Sequence, residues 1–413
     1  MVVGQFISAI GDQFYLIGMP WLALQITGSA FVAGTVLAVA SAPRAVFLLV
    51  GGAITDRYSA KRLLIVSNGI QGVLMGVLGF ATVISFTPLW FLYGLAFLTG
   101  FVDAFGLPAF NTVLPQIVNE DELETGNIYL QGANMASGVI GPALAGLSIW
   151  MAASGTGAQS EMAGLWAAFL IDSVTYFIGI SFFGAITVPS LEKSEDHSED
   201  SLVSSMKDLA AFIKSDPQLR NLFGLMMVFG LFLTGTIRLG FPMLADALPA
   251  GGVRYFGYMS SAFGAGMLAG MVSVKLLPQP PQAVSGVIAL LLFAFLPAGL
   301  ILLGMLSSFG VMIAIIIVMG STFGYVNIFL LSWLQRRTPG YLLGRMMAVV
   351  LFSAIGLSPV SQAWMGYLLD QNVQATLIGV GGVVLLLLAI TGANREMWSL
   401  KSGASDNTLS PEA

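Results

Sequence analysis

Residues 30–86 read AFVAGTVLAVASAPRAVFLLVGGAITDRYSAKRLLIVSNGIQGVLMGVLGFATVISF. Two apolar runs, 30–54 and 63–86, each reach the roughly 20 residues that a helix needs to cross a bilayer. Between them the charges Asp56, Arg57, Lys61 and Arg62 crowd into a turn too short to be a domain. The pattern repeats outward along the chain. Further runs near 3–26, 89–113, 126–152 and 164–188 complete a first half, and runs near 218–245, 252–276, 283–306, 309–334, 342–369 and 373–394 form a second. About twelve spans result, by hydrophobic length alone.

Composition agrees. The 413 residues are 56% hydrophobic and 9% charged, with a mean hydropathy of +0.87. A soluble domain carries roughly a quarter charged residues, so the solvent for most of this chain is lipid. Cysteine is absent, which removes disulfides, thiolate nucleophiles and cysteine metal sites. The single histidine, His197, sits in the hydrophilic run 194–200, which reads as solvated loop. No metal, cofactor or nucleic-acid partner is expected: the basic residues form no stripe that would track phosphates, and no Gly-Lys-Ser/Thr phosphate loop is present. No His, Cys or paired-carboxylate cluster offers an enzyme active site. Phe (28), Met (20) and Trp (7) are plentiful; such side chains can line an adaptable cavity, and most of them simply face lipid or neighbouring helices.

Organisation follows from the gap between the halves. The expected units are a six-helix lobe over 1–188, an acidic linker over 189–216 with an amphipathic stretch at 202–213, a second six-helix lobe over 217–396 and a polar tail over 397–413. Met1 opens almost directly into the first span, which is too long for a cleavable signal peptide and is read as retained; a short upstream leader fits the same reading. Arg57, Lys61, Arg62, Lys193, Lys207, Lys214, Arg220, Lys275, Arg336, Arg337, Arg345, Arg395 and Lys401 fall on one set of connections, and only Arg254 on the other. Positive residues favour the cytoplasmic side, so both termini are expected there, in a multi-pass protein of the cell membrane.

The stretch Gly52-Ala-Ile-Thr-Asp56-Arg57-Tyr-Ser-Ala-Lys61-Arg62 resembles the signature loop of the major facilitator superfamily, although Ala60 stands where a basic residue is often found. The resemblance implies that Gly52, Asp56, Arg57, Lys61 and Arg62 help to latch one conformation. A plain positive-inside turn has the same residues. The equivalent place in the second half, Lys275-Leu-Leu-Pro-Gln-Pro-Pro-Gln282, has lost the acid and most of the bases. Gly138-Val-Ile-Gly141-Pro142-Ala-Leu-Ala-Gly146 resembles the Gly-Pro motif of exporters in that superfamily; tight small-residue packing is its other reading. Gly11-Asp12-Gln13, Ala42-Pro43-Arg44, Asp103-Ala-Phe-Gly-Leu-Pro108 and the run from Leu334 to Pro339 resemble the drug-export branch that includes macrolide-efflux and enterobactin-export proteins. The resemblance implies an all-α fold of two pseudo-symmetric lobes, and proton-coupled efflux of bulky hydrophobic or amphipathic compounds by a monomer, with the proton gradient as energy source. Export of a siderophore or movement of a lysolipid fits the same fold, and a non-transporting receptor or assembly factor is the reading of another class.

Charge inside lipid costs several kcal/mol, so the intramembrane ionisable residues are the site candidates. Asp12, with Arg44 as partner, and Asp103, with Arg44 or Arg238, are candidates to carry the proton; structural ion pairs that fix helix packing are the alternative. Asp172 reads as structural. Arg238 is a candidate for an anionic group on cargo, or for a packing turn between Gly235 and Gly240. Trp21, Tyr129, Asn134, Phe232, Asn327 and Trp333 complete the candidate cavity wall.

Overall fold

The computed structural model describes residues 1–57, 59–119, 122–155, 161–185, 213–214, 216–249, 251–277 and 285–393; side chains of residues 48–57, 124, 340–341, 344–345, 348, 351 and 354–355 fall outside the description. Nearly all of the 189–216 linker and the whole 397–413 tail also lie outside it.

Thirteen α-helices carry the described chain: α1 Val2–Thr27, α2 Ala30–Arg57, α3 Ala60–Val83, α4 Leu89–Ile117, α5 Leu123–Gly155, α6 Leu165–Gly184, α7 Pro217–Ala247, α8 Val253–Leu276, α9 Ser285–Met305, α10 Phe309–Arg337, α11 Gly340–Ile355, α12 Ser358–Gln371 and α13 Val373–Ala393. Their ends obey local chemistry. Gly28 terminates α1 at φ 64°, a left-handed conformation that glycine takes at no cost. Asp216 caps α7, accepting from the amides of Gln218 at 2.9 Å and Leu219 at 3.4 Å, with Pro217 at the first helical position. The eleventh span, expected as one helix over 342–369, is two: Pro359 has no N–H to return to Ile355, and the ladder lapses into a turn at Gly356 and Leu357. Among the described residues ten helical segments, rather than the expected twelve, are long and apolar enough to cross a membrane by length and composition; α1 and the divided α11–α12 are not among them. The outer faces carry large apolar side chains that water would not tolerate, among them Phe80, Trp90, Leu291 and Leu386.

Helix neighbours repeat. In the first half α1 packs on α5 and α6, α2 on α4, and α3 on α4 and α6. Six spans later α7 packs on α12 and α13, α8 on α10, and α9 on α10 and α13. This is one six-span arrangement used twice, with the fifth span of the second half split into α11 and α12. The lobes meet through a second symmetric set, α2 against α12 and α5 against α8.

Both lobe crossings run backbone to backbone. A Cβ on Gly366 would lie 2.7 Å from the carbonyl oxygen of Ala30, and one on Gly34 would strike that of Gln362. At the other crossing, a Cβ on Gly146 would lie 2.6 Å from the Val253 carbonyl, and one on Gly257 would strike that of Pro142. Each crossing is finished by a carboxylate that caps the opposite lobe. Asp370, at the end of α12, accepts from the Ala30 amide at 2.8 Å and the Ser29 hydroxyl at 3.0 Å, covering the start of α2. Glu161, before α6, accepts from the Val253 amide at 2.8 Å and covers the start of α8. Both caps sit at the end of the molecule away from Met1 and the basic connections. Toward the basic face, Ile128 and Tyr129 of α5 are more than 60% exposed.

Losing a cap costs a helix about 1 kcal/mol, so Asp370→Ala or Glu161→Ala is expected to shift the balance toward separation of the far ends by about fivefold. The absence of native cysteine allows single spin-label pairs across α2 and α12, or α5 and α8, to read that distance directly. Unchanged distance distributions in both variants would show that the caps do not hold the lobes.

Candidate functional site

Four helices of the first lobe carry polar residues at helical spacing on otherwise apolar sequences: Gln5, Ser8, Asp12 and Tyr15 on α1, Ser41 and Arg44 on α2, Ser67, Asn68 and Gln71 on α3, and Thr99 and Asp103 on α4. The fold turns these stripes toward one another around a cavity of about 310 Å³, with Tyr176 of α6 and Arg238 of α7 completing its wall. Asp12 lies ten residues into α1, roughly 15 Å along a helix of 1.5 Å per residue, so the cavity reaches the middle of the molecule. It lies on the basic side of the two crossings.

The charges are held unequally. Tyr176 donates its hydroxyl to Asp12 at 2.7 Å. Gln71 donates to Asp103 at 2.7 Å and to the Thr99 carbonyl at 3.0 Å. Arg44 stands 3.7 Å from Asp103, so the partner expected for Asp12 belongs to Asp103, because α2 packs against α4 far more closely than against α1. The Arg44 Nε is buried with no hydrogen-bond partner. Behind the wall Asp172 of α6 is fully buried, and neither carboxyl oxygen meets a donor in hydrogen-bond geometry. The Thr175 hydroxyl donates instead to the Asp172 backbone carbonyl at 2.7 Å. Gly11 makes room for this pair: a Cβ there would lie 2.7 Å from Asp172 Oδ1 and strike the Thr175 hydroxyl.

The remaining candidates scatter. Asn134 touches the cavity wall by accepting from Gln5 Nε2 at 2.9 Å. Trp21 does not reach the cavity; it is buried at the lobe interface and stacks on Phe256 with centroids 6.3 Å apart, because its face of α1 is turned to α8. Trp333 is buried in a satellite core under the Arg337 guanidinium, 5.4 Å from its ring. Phe232 packs against the main core, while Tyr129 and Asn327 are exposed and are not among the residues that line the cavity. Membership of a lining helix does not fix which face of that helix a side chain occupies. The wall is also more polar than a greasy lining of Met and aromatic residues; Met75 is its one methionine among the described residues. The aromatic part is a smaller chamber of about 150 Å³ toward the far face, where Phe241, Phe256 and Phe263 meet Ile237 and Pro20. Gln13, Leu16, Leu37 and Arg238 line both chambers.

In the two motifs, Gly141 faces α1, where a Cβ would lie 2.5 Å from Gln13 Cγ, and Gly146 faces α8. Gly138 has open space in front of it, but its carbonyl receives Gly264 of α8. Pro142 interrupts the ladder, and the following amide of Ala143 donates across the lobes to Ser261 at 2.9 Å. The motif is thus a three-helix junction of α1, α5 and α8. In the loop motif, Lys61 donates to the Gly184 carbonyl at 2.8 Å, tying α3 to the end of α6. Arg62 is exposed, and the side chains of Asp56 and Arg57, like the surroundings of Gly52, lie outside the described residues.

The contact of α1 with α6 gives a direct test. Gly11→Ala forces overpacking, which costs about 1–3 kcal/mol, and is expected to lower the melting temperature of the purified protein; Thr175→Ala in the same chain should recover part of the loss. A Gly11→Ala protein that melts as the unmodified one would show that the helices are not in this contact.

Comparison with known proteins accords with the geometry. The family model described as Major Facilitator Superfamily matches residues 1–361. Macrolide efflux protein A of Streptococcus pyogenes is 24% identical over 271 residues, covering 65% of this chain and 63% of that protein, so the match spans less than two thirds of that relative's length. The enterobactin exporter EntS of Shigella boydii serotype 4 (strain Sb227) is 23% identical over 401 residues, covering 94% of this chain and 90% of the exporter. Among solved structures, the nucleoside transporter NupG superposes with a TM-score of 0.72 at 13% identity, covering 95% of this chain and 97% of NupG. A bacterial homologue of the iron transporter ferroportin in an inward-facing state gives 0.71 at 17%, covering 96% and 97%. With two pseudo-symmetric lobes around a central polar cavity and a family match over most of its length, the chain belongs to the Major Facilitator Superfamily and is a multi-pass membrane transporter rather than an enzyme.

Proposed function

We propose that this transporter exports bulky hydrophobic or amphipathic compounds in exchange for protons, by rocking its two lobes about the central cavity. The observation that carries the reading is the placement of Asp12: its carboxylate lies on the cavity wall at mid-depth, held by the Tyr176 hydroxyl rather than by a cation. A carboxylate so placed takes a proton when the cavity opens to the acidic side and surrenders it when cargo or the opposite opening favours the charged form. Asp103, tied to Arg44 and Gln71, is a second carrier that exchanges one partner for another as α2 and α4 shift.

The basic face is the cytoplasmic face of a cell membrane, on the rule that Lys and Arg accumulate inside. On that assignment the present conformation is open inward, with both termini inside and the capped crossings closing the outer end. The relatives named for macrolide efflux and enterobactin export support outward movement of a large organic molecule. Alternating access then needs only that the outer crossings open while the basic ends of the lobes close. No bound cofactor enters this cycle; one chain holds the complete cavity and works as a monomer.

Proteoliposomes with an imposed pH gradient test the reading, with labelled hydrophobic cations, macrolides, catecholate siderophores and lysolipids as cargo. Gradient-driven flux is expected for at least one amphipathic cargo, and Asp12→Asn should lower it by about tenfold or more, the worth of a hydrogen-bonded charge. Flux retained in Asp12→Asn but lost in Asp103→Asn would move the proton to the second carboxylate. Absence of gradient-driven flux for every cargo would refute proton-coupled efflux.

A further inference from the structure

The acids and the bases of the cavity differ in how far their bonding capacity is filled. Asp12 and Asp103 accept hydrogen bonds from neutral neighbours, Tyr176 and Gln71, that belong to the first lobe. The guanidiniums have no such support. Arg44 reaches Asp103 only at 3.7 Å and keeps a buried Nε without an acceptor. Arg238, from the second lobe, makes no ion pair and no side-chain hydrogen bond among the described residues, and its charged neighbour is Arg44, which repels it. A guanidinium stays charged and presents five donors in a planar fork. Two such forks from opposite lobes face one cavity, Arg238 with no acidic partner among the described residues and Arg44 with only the 3.7 Å approach to Asp103, so an acceptor carried by a ligand would complete both.

The surroundings of Arg238 define the rest of the ligand. Its side chain stands at the junction of the polar cavity and the aromatic chamber of about 150 Å³, and it lines both. A molecule that engages Arg238 through an oxyanion has, directly beside that group, a pocket formed by Phe241, Phe256 and Phe263 in which to place a ring-sized apolar body.

We propose that the cargo site selects an amphipathic organic anion, with a carboxylate or comparable oxyanion bridging Arg238 and Arg44 and an aromatic or branched apolar body in the Phe241–Phe256–Phe263 chamber. The inference rests on the cavity being the cargo site and adds the charge and shape of what enters it. It also gives the two arginines distinct tasks: Arg238 binds the anion on the second lobe, while Arg44 is drawn between the anion and Asp103, so that binding in the cavity is felt across the lobe boundary. Exchange of one such anion outward for one proton inward moves charge in a single sense, and an inside-negative membrane potential drives both limbs.

The test uses the full chain in detergent and three probes of one shape: 2-naphthoate, 2-naphthamide and 2-naphthylmethylammonium, with binding measured by calorimetry. The naphthoate is expected to bind about tenfold tighter than the amide or the ammonium, as one charge-assisted hydrogen-bonded contact confers. Arg238→Gln should bring naphthoate to the level of the amide while leaving amide binding in place, which also reports that the variant is folded. Arg238→Lys, which keeps the charge and loses the fork, should fall between; its weaker, more salt-sensitive naphthoate binding serves as the readout if the Gln variant does not elute as a single species. Laurate in place of naphthoate separates sources: competition by laurate at equal or lower concentration assigns the acid to the bilayer, and its failure assigns it to the aqueous pool, the anion site standing in either case. Equal binding of the three naphthyl probes, or a naphthoate preference that survives Arg238→Gln, overturns the anion site alone. Binding of none of them overturns both the anion site and the cavity as a cargo site.

Discussion

Two crossings in which one helix backbone rests on another hold this transporter in its present shape. At Gly34 with Gly366 and at Gly146 with Gly257, neither side chain nor water separates the lobes. In lipid there is little hydrophobic drive to bring helices together, so close van der Waals approach and interhelical hydrogen bonds carry the association. Both are concentrated at one end of the molecule, and Asp370 and Glu161 add a charged cap to each crossing. The lobes are joined where glycine and carboxylate allow it, and the cavity lies on the basic side of those crossings.

The cavity inherits a division between the lobes. Nearly all its polar groups come from α1 to α4 and α6, where carboxylates, amides and hydroxyls bond one another and form a wall stiff enough to hold charge inside the membrane. The second lobe contributes one guanidinium and an aromatic surface. Under the proposed function, this arrangement gives proton handling to one lobe and recognition of the apolar part of the cargo to the other. It also accounts for the uneven motifs. The Gly-Pro segment of α5 lies at the junction of α1, α5 and α8, so the helix that bears Asp12 is packed directly against the helix that carries the lobe crossing.

Much of this was legible in the chain because it depends on local sums. Hydrophobic run length located the spans to within a few residues in most cases, and Pro359 explains the span that split in two. Asp12, Arg44, Asp103 and Arg238 were identifiable as charges with no ordinary reason to be in lipid, and all four line the cavity. The polar stripes on α1, α3 and α4, visible as residues three and four apart, carried the same signal for Gln5, Ser8, Asn68, Gln71 and Thr99, which single-residue reasoning about charge passed over. Trp21, Phe232 and Trp333 show the converse failure, since an aromatic residue in a lining helix is as well suited to the core as to the cavity, and nothing in its own sequence tells which way its face is turned.

The sequence by itself determined that the chain lives in a membrane, roughly where its apolar runs lie, and which few residues bring charge into lipid, because each of these is a property of about 20 consecutive residues and the solvent they meet. Tertiary structure alone decided which charges are partners, which lobe supplies the aromatic chamber, and at which end the molecule is shut. Those depend on residues hundreds of positions apart, such as Ala30 with Asp370 or Tyr176 with Asp12, whose meeting is fixed by helix rotation and crossing geometry rather than by composition.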